Sequence, residues 1–210
     1  MELYKEVHQE LMAQTLADGH LLRKEKELIL VGINSVLLKE EEAVKHALAA
    51  QKEGALVEEV AEILLAAIVT RGLTAWLVGV KALEAMLANT DEPAPKIALE
   101  EVAEIKDLAD AKTYLAGENG KISNWAALME DYNEGALLNY TRLRTFLLND
   151  QYISRKVKEY VIIGLNLALG YNTGLSVHIE AAQKEGATKE QIQEVFSVAL
   201  LYMGSITAAV

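Results

Sequence analysis

The chain contains one sequence pattern twice, and the second copy follows the first at an offset of 132 residues. Residues 49–55 and 181–187 read AAQKEGA in both copies. Residues 26–34 align with residues 158–166 without a gap. Internal repetition at a fixed offset marks tandem copies of one structural unit. The two halves of the chain are therefore expected to fold alike.

Both copies are predicted to be helical, which makes the fold class all-α. Ala, Leu, Glu and Lys dominate, only two prolines occur, and no alternating strand pattern is present. Residues 27–38 and 159–169 are apolar nearly all round, as in a buried helix. Gly54 and Gly186 are placed to end the helix that follows each of these. Thr188 begins a capping box, which predicts the start of another helix.

The repeats are expected to form two units separated by a linker. The first repeat is placed at 1–90, the linker at 91–119 and the second repeat at 120–210. Both prolines lie at the start of this linker, where they break the chain. The linker is predicted to carry one helix at 97–115, and residues 125–148 are predicted to form a single helix.

Composition excludes several classes of function. There is no cysteine, so disulfides, thiolate metal sites and thiol catalysis are excluded, and a reducing cytoplasm is the expected compartment. The net charge of −11 leaves no basic face for a nucleic acid. Residues 195–210 carry no charge, but they are fewer than the roughly 20 that a spanning helix needs. The start of the chain has no apolar signal-peptide core. We therefore expect no nucleic-acid partner and no membrane insertion.

Two matched histidines are the first candidate site residues. His46 and His178 each lie early in the helix after the buried one. When each helix pair is treated as a hairpin, His46 faces Gly32 and His178 faces Gly164, which predicts close backbone approach or a pocket beside the ring. The alternative is that each imidazole simply packs there with a nitrogen satisfied.

Matched acids and arginines lie upstream of the histidines. Glu27 and Glu159, 19 residues before them, are candidates for orienting the imidazoles in proton transfer. The hairpin geometry leaves each Glu about one turn from its His, so a contact would need a steep crossing angle or a bridging water. Favourable charge at a helix N-terminus explains them equally. Arg23 and Arg155 are candidates for holding a carboxylate ligand with the guanidinium fork, the alternative being solvated first-turn residues.

Two matched asparagines lie inside the buried helices. Asn34 and Asn166 are expected to hydrogen-bond between the units, and a ligand-binding role is the second interpretation. One histidine with scattered carboxylates in each repeat is a poor zinc set, so no metal is expected.

The two copies differ next to the histidines. Glu42 lies four residues before His46, on the same helix face, where it favours the imidazolium. Gly174 takes that position before His178, and Tyr171 is the candidate proton donor there. The first repeat is therefore the expected catalytic copy.

Each repeat resembles the carboxymuconolactone decarboxylase and alkylhydroperoxidase D superfamily. The resemblance rests on Arg-Lys-x-Lys-Glu, a buried helix, His-x-x-Ala-Ala-x-x-Glu-Gly-Ala and an apolar helix that ends in Gly. It covers residues 18–72 and 150–204. It implies an all-helical alkylhydroperoxidase D-like unit in each repeat and assembly into cyclic oligomers, here a trimer or dimer.

The peroxidase branch of the superfamily uses Cys-x-x-Cys ahead of the His. Tyr171 and Gly174 stand at these positions in the second repeat, and Lys39 and Glu42 in the first. The disulfide relay cannot run without thiols, so no peroxidase activity is expected.

The decarboxylase branch resembles the first repeat, with Glu42 before His46. The resemblance implies loss of CO2 from a small carboxylated lactone without a cofactor, with His46 as general acid, Glu42 or Glu27 tuning it, and Arg23 anchoring the ligand. Two alternatives stay open: a relative that only binds a small ligand, and an oligomeric interaction protein.

Overall fold

The computed structural model describes residues 2–90, 105–116 and 120–203. These residues form eleven α-helices and no strand. The helices are α1 (Glu2–Leu16), α2 (Arg23–Val36), α3 (Glu40–Lys52), α4 (Val57–Arg71), α5 (Leu73–Leu87), α6 (Leu108–Ala116), α7 (Asn124–Tyr132), α8 (Glu134–Leu148), α9 (Arg155–Leu169), α10 (Asn172–Lys184) and α11 (Lys189–Met203).

The helix boundaries repeat as the sequence does. Helices α1, α3 and α4 begin and end 132 residues before α8, α10 and α11. Helix α2 begins 132 residues before α9. The expectation of an all-α fold with two tandem helical units is therefore confirmed.

The described helices belong to two compact units whose boundaries differ from those of the repeats. One unit joins residues 1–97 to 152–210 and contains α1–α5 and α9–α11. The other spans 98–151, where α6 and α7 pack on α8. The placement of the repeats at 1–90 and 120–210, with a linker at 91–119, stays a prediction about the sequence.

The core of the larger unit is built on α2 and α9, which are buried from Lys26 to Val36 and from Val157 to Asn166. They cross at their glycines. A Cβ added to Gly32 would lie 2.7 Å from Val161 Cγ1, and one added to Gly164 would lie 3.0 Å from Ile29 Cγ2. The expectation that these glycines face the histidines is therefore wrong, because each one admits the opposite repeat's buried helix.

Ion pairs join the repeats on both sides of this crossing, and one of them is fully buried. Lys158 Nζ of α9 lies 2.9 Å from Glu62 of α4, and both side chains are 1% exposed. Lys26 of α2 lies 3.0 Å from Glu194 of α11. The second helix of each repeat thus binds the fourth helix of the other.

The predicted capping residues act as expected. Gly54 and Gly186 follow α3 and α10 with φ of +83° and +81°, the left-handed conformation that ends a helix. Thr188 and Gln191 exchange backbone and side-chain hydrogen bonds of 3.0 and 3.2 Å, which forms the capping box of α11.

Two sequence-based helix predictions need correction in the smaller unit. The helix placed at 97–115 begins at Leu108 within the described residues, because Asp107 accepts hydrogen bonds from two following backbone N–H groups. Its predicted part at 97–104 lies outside the described residues. The single helix at 125–148 is two helices, because Asn133 is extended and caps α8 through Ala136 N at 3.0 Å.

No helix in the described residues is long and apolar enough to cross a membrane. Of the uncharged segment at 195–210, the part up to Met203 belongs to α11, and the remainder lies outside the described residues.

Candidate active site

Each histidine contacts its upstream glutamate directly. His46 Nδ1 lies 2.6 Å from Glu27 Oε2, and His178 Nδ1 lies 2.6 Å from Glu159 Oε2. All four side chains are buried. No bridging water is needed, since α2 and α3, like α9 and α10, bring the groups level. The repeat thus builds the same His–Glu pair twice.

Helix capping places Arg23 one turn before Glu27. Helix α2 begins at Arg23, whose backbone N–H donates a 2.7 Å hydrogen bond to Asp18, while Glu25 accepts a 2.8 Å hydrogen bond from the backbone N–H of Leu22. Arg23 Nε lies 3.5 Å from both Glu27 and Glu53. The guanidinium is half-exposed, so it is neither a fully solvated residue nor a buried one.

The second repeat copies this arrangement. Arg155 Nε lies 3.5 Å from Glu159 and 3.7 Å from Glu185. The matched arginines therefore hold matched positions beside the His–Glu pairs, and their predicted role as ligand anchors stays a prediction.

A tyrosine from the second repeat completes the first site. Tyr202 of α11 places its hydroxyl oxygen 2.5 Å from His46 Nε2, and the hydroxyl donates a 2.7 Å hydrogen bond to Glu42. Glu42 Oε2 itself lies 3.9 Å from His46 Nε2. Glu27, His46, Tyr202 and Glu42 thus form a continuous chain. Sequence reasoning missed Tyr202, although the 132-residue offset places Thr70 opposite it, and that difference was a usable signal.

The Tyr202 hydroxyl and the Glu42 carboxyl group differ in proton affinity. Burial raises the pKa of Tyr202 far above its usual range, and the hydrogen bond to the Glu42 carboxylate adds to this. Burial alone would raise the pKa of Glu42, but hydrogen bonds from Tyr202 and Lys45, together with the charges of Lys45 and His46, hold it below its usual value. Tyr202 is therefore a neutral hydroxyl and Glu42 a carboxylate at neutral pH.

A cavity of about 500 Å³ lies beside the first pair. Helix α1 forms one wall and α2 and α3 form the others. Its lining residues are His8, Gln9, Met12, Ala13, Leu16, Arg23, Glu27, Lys45, His46 and Ala49. The cavity is therefore lined by two cationic side chains, by apolar side chains, and by the buried carboxylate and imidazole of the first pair.

The second site differs at each position that completes the first. Gly174 stands where Glu42 stands in the first repeat, and Thr70 stands where Tyr202 does. Tyr171 is half-exposed, and its ring covers Gly174, where a Cβ would lie 2.4 Å from it. The role of Tyr171 as proton donor to His178 stays a prediction.

The matched asparagines lie outside the cavity lining. Asn34 Nδ2 donates a 2.9 Å hydrogen bond to the Leu30 carbonyl of its own helix, and the Asn34 amide partly offsets the raised pKa of Tyr202. Asn166 Nδ2 lies 3.1 Å from where a Cβ of Gly174 would be. Ligand binding by either asparagine remains untested. In the described part of the chain, no group of three or more His, Asp or Glu side chains could hold a metal ion.

A solved structure and a protein family both resemble this chain. The chain has the fold of a crystal structure described as that of a proposed gamma-carboxymuconolactone decarboxylase subunit from Burkholderia xenovorans LB400. The TM-score is 0.71 with 19% sequence identity, over 99% of this chain and 86% of that one. Residues 1–85 and 135–210 match the carboxymuconolactone decarboxylase family. The chain therefore belongs to the carboxymuconolactone decarboxylase family. No curated protein matches it.

Proposed function

We propose that the cavity beside His46 binds a small carboxylated, lactone-like metabolite and that the first repeat gives it a proton during cofactor-free decarboxylation or a related proton transfer. The observation that carries this proposal is the cavity of about 500 Å³ with Arg23, Glu27 and His46 in one wall. Sites for small ligands fall in the range of roughly 300–1,000 Å³. Membership of the family supports the same kind of function.

The charge of the cavity wall favours an anionic ligand. Arg23 and Lys45 contribute two cations, and Glu27 contributes one carboxylate. Arg23 uses Nε for both of its ion pairs, so the terminal nitrogens of its fork are the groups that would meet a ligand carboxylate. Met12, Leu16 and the cavity alanines would contact the apolar part of the ligand.

The chemistry needs only groups that the wall supplies. In a carboxylated lactone, the bond to the carboxylate carbon breaks, and its electron pair passes through a conjugated alkene into the lactone carbonyl. Arg23 holds the ligand carboxylate until that bond breaks. Glu27 receives the Nδ1 proton of His46 and passes it to the ligand carbon, which leaves CO2 and a neutral product. No electron leaves the ligand, so no redox group takes part.

Matched arginine variants test the binding step. We expect Arg23→Gln to weaken binding of benzoate and phthalate by about tenfold or more, because a charge-assisted hydrogen bond contributes about 1.5–3 kcal/mol. Arg155→Gln removes the equivalent contact in the second repeat and should leave these affinities unchanged. Titration calorimetry measures both. Equal effects of the two variants, or no binding to the unaltered protein, would contradict the proposal.

Turnover separates the enzyme from the alternative of a protein that only binds its ligand. Both ring nitrogens of His46 already have partners, and the ring is 2% exposed. A buried ring whose nitrogens are both occupied would also fit a protein that binds its ligand without reacting with it. Release of CO2 from γ-carboxylated butenolides supports the enzyme, whereas carboxylate binding without CO2 release supports the alternative.

We also propose a homo-oligomer, either a trimer or a dimer, in the cytoplasm. Leu73 and Leu77 lie one turn apart on α5 and are about 60% exposed, which gives this helix an apolar outer face. Sedimentation equilibrium measures the assembly, and a stable monomer at micromolar concentration would contradict it.

A further inference from the structure

We infer that Tyr202 and Glu42 are positioning residues that keep His46 doubly protonated, so that the last described helix of the second repeat completes the proton-donating site of the first. The catalytic consequence of this inference rests on the proposed function, whereas the protonation of the His46 ring does not.

The hydrogen bonds fix the number of protons on the ring. Glu42 is a carboxylate and can only accept, so the Tyr202 hydroxyl donates its single proton to Glu42 at 2.7 Å. His46 Nε2, at 2.5 Å from the same oxygen, must then donate to it. We assign the proton of the 2.6 Å contact with Glu27 to Nδ1, because the Glu27 carboxylate is also ion-paired with Arg23. An imidazole that donates through both nitrogens is an imidazolium.

The charges around the ring agree with this assignment. Glu27 faces it from α2 and Glu42 from α3, and Arg23 and Lys45 carry the opposing positive charge. Lys39 lies over the Tyr202 ring at 5.2 Å, and His8 of α1 lines the cavity. The nearest ionic partners of His46 are thus the two carboxylates, one on each side.

The second repeat provides a control within the same molecule. His178 has the same 2.6 Å contact with its glutamate. Its repeat has Gly174 in place of Glu42 and Thr70 in place of Tyr202. His178 therefore serves as a reference ring that has the glutamate contact without the Tyr202–Glu42 pair, and the two substitutions below assign any difference to that pair.

This arrangement makes the proton available to the cavity. Transfer of the Nδ1 proton to Glu27 leaves a neutral imidazole that still donates through Nε2 to Tyr202. Glu27 forms part of the cavity wall, so the transferred proton lies next to the ligand. When the ligand takes that proton, uptake of one proton from solvent restores the starting state.

The test uses the whole protein with 15N-labelled histidine and no ligand. Nitrogen chemical shifts distinguish a doubly protonated ring from either neutral tautomer. We expect both nitrogens of His46 to be protonated at neutral pH. Tyr202→Phe removes the acceptor of the Nε2–H bond and Glu42→Gln removes the neighbouring carboxylate, so each should move the Nε2 chemical shift of His46 toward that of an unprotonated nitrogen. The His178 signals should not move.

Matched variants control for lost hydrogen bonds and lost charge. Tyr160→Phe removes another buried tyrosine hydroxyl with a 2.8 Å hydrogen bond, to Gln191. Glu41→Gln removes an exposed carboxylate next to Glu42. Neither should change the His46 signals. Glu42 is partly exposed, so its variant is informative even if Tyr202→Phe fails to fold.

The outcomes separate this inference from the proposed function. A singly protonated His46 in the unaltered protein, or unchanged His46 nitrogen shifts in the Glu42→Gln variant, would overturn the inference whether or not a ligand binds. The expected shifts with no carboxylate binding would leave the inference standing and contradict only the proposed function. If both hold, Tyr202→Phe should slow CO2 release without weakening benzoate binding.

Discussion

At the scale of single residues, two positions make the duplicated His–Glu pairs unequal. His46 and His178 have the same buried glutamate contact at 2.6 Å. What differs is the far side of the ring, where His46 meets Tyr202. The glutamate contact joins the two helices of the hairpin in both repeats, and Tyr202 adds a partner to the other ring nitrogen of His46. We propose that this addition serves chemistry in the first repeat.

This asymmetry predicts unequal effects of two equivalent substitutions. His46→Ala should abolish turnover, whereas His178→Ala should leave most of it, because only His46 borders the cavity and receives the Tyr202–Glu42 pair. Rates of CO2 release from one carboxylated lactone would measure both effects.

Stability measurements provide the control for this pair of variants. Each substitution leaves a buried glutamate without its imidazole, and His46→Ala also removes the contact with Tyr202, so both variants should lose unfolding free energy and His46→Ala should lose more. Similar losses of turnover would show that the histidines act only through packing.

At the scale of helices, the glycines of α2 and α9 determine how closely the repeats approach. Counting along one hairpin placed Gly32 opposite His46, but the space above Gly32 is taken by Val161 of the other repeat. Helix caps and most helix positions could be predicted because they depend on neighbours within one repeat, whereas the sequence left the His–Glu contact open beside a helix-end charge. The partner of a buried glycine depends on which helix crosses it, and periodicity within one repeat does not specify that partner.

The crossing predicts that Gly32→Ala destabilises the protein even though alanine favours helix. The new methyl group would lie 2.7 Å from Val161 Cγ1, and overpacking of this kind costs about 1–3 kcal/mol. Urea denaturation measures the change in unfolding free energy. Adding Val161→Ala removes the clashing atom, so the double variant should lose less than the sum of the two single losses. Additive losses would contradict direct contact between these positions.

At the scale of the whole molecule, helices of each repeat also pack against the other repeat. Helix α4 packs on α9, and α11 packs on α2, with a Lys–Glu ion pair in each contact. The matched lysines and glutamates were visible in the repeat, yet their pairing across repeats was not, because the offset aligns each residue with its copy and says nothing of its contacts. The link between His46 and Tyr202, 156 residues apart, escaped prediction for the same reason.

These contacts between the repeats predict that neither repeat folds alone. A fragment of residues 1–90 would keep Glu62, which is 1% exposed in the whole chain, without Lys158, and removing one partner of a buried ion pair costs about 3–5 kcal/mol. The same fragment would uncover the face of α2 that α9 and α11 bury. Circular dichroism should therefore show no cooperative thermal transition for 1–90 or for 120–210. Mixing the two fragments should restore one, because each supplies the ion-pair partner and the packing surface that the other lacks. A sharp transition in either fragment alone would show that the contacts within one repeat suffice for folding.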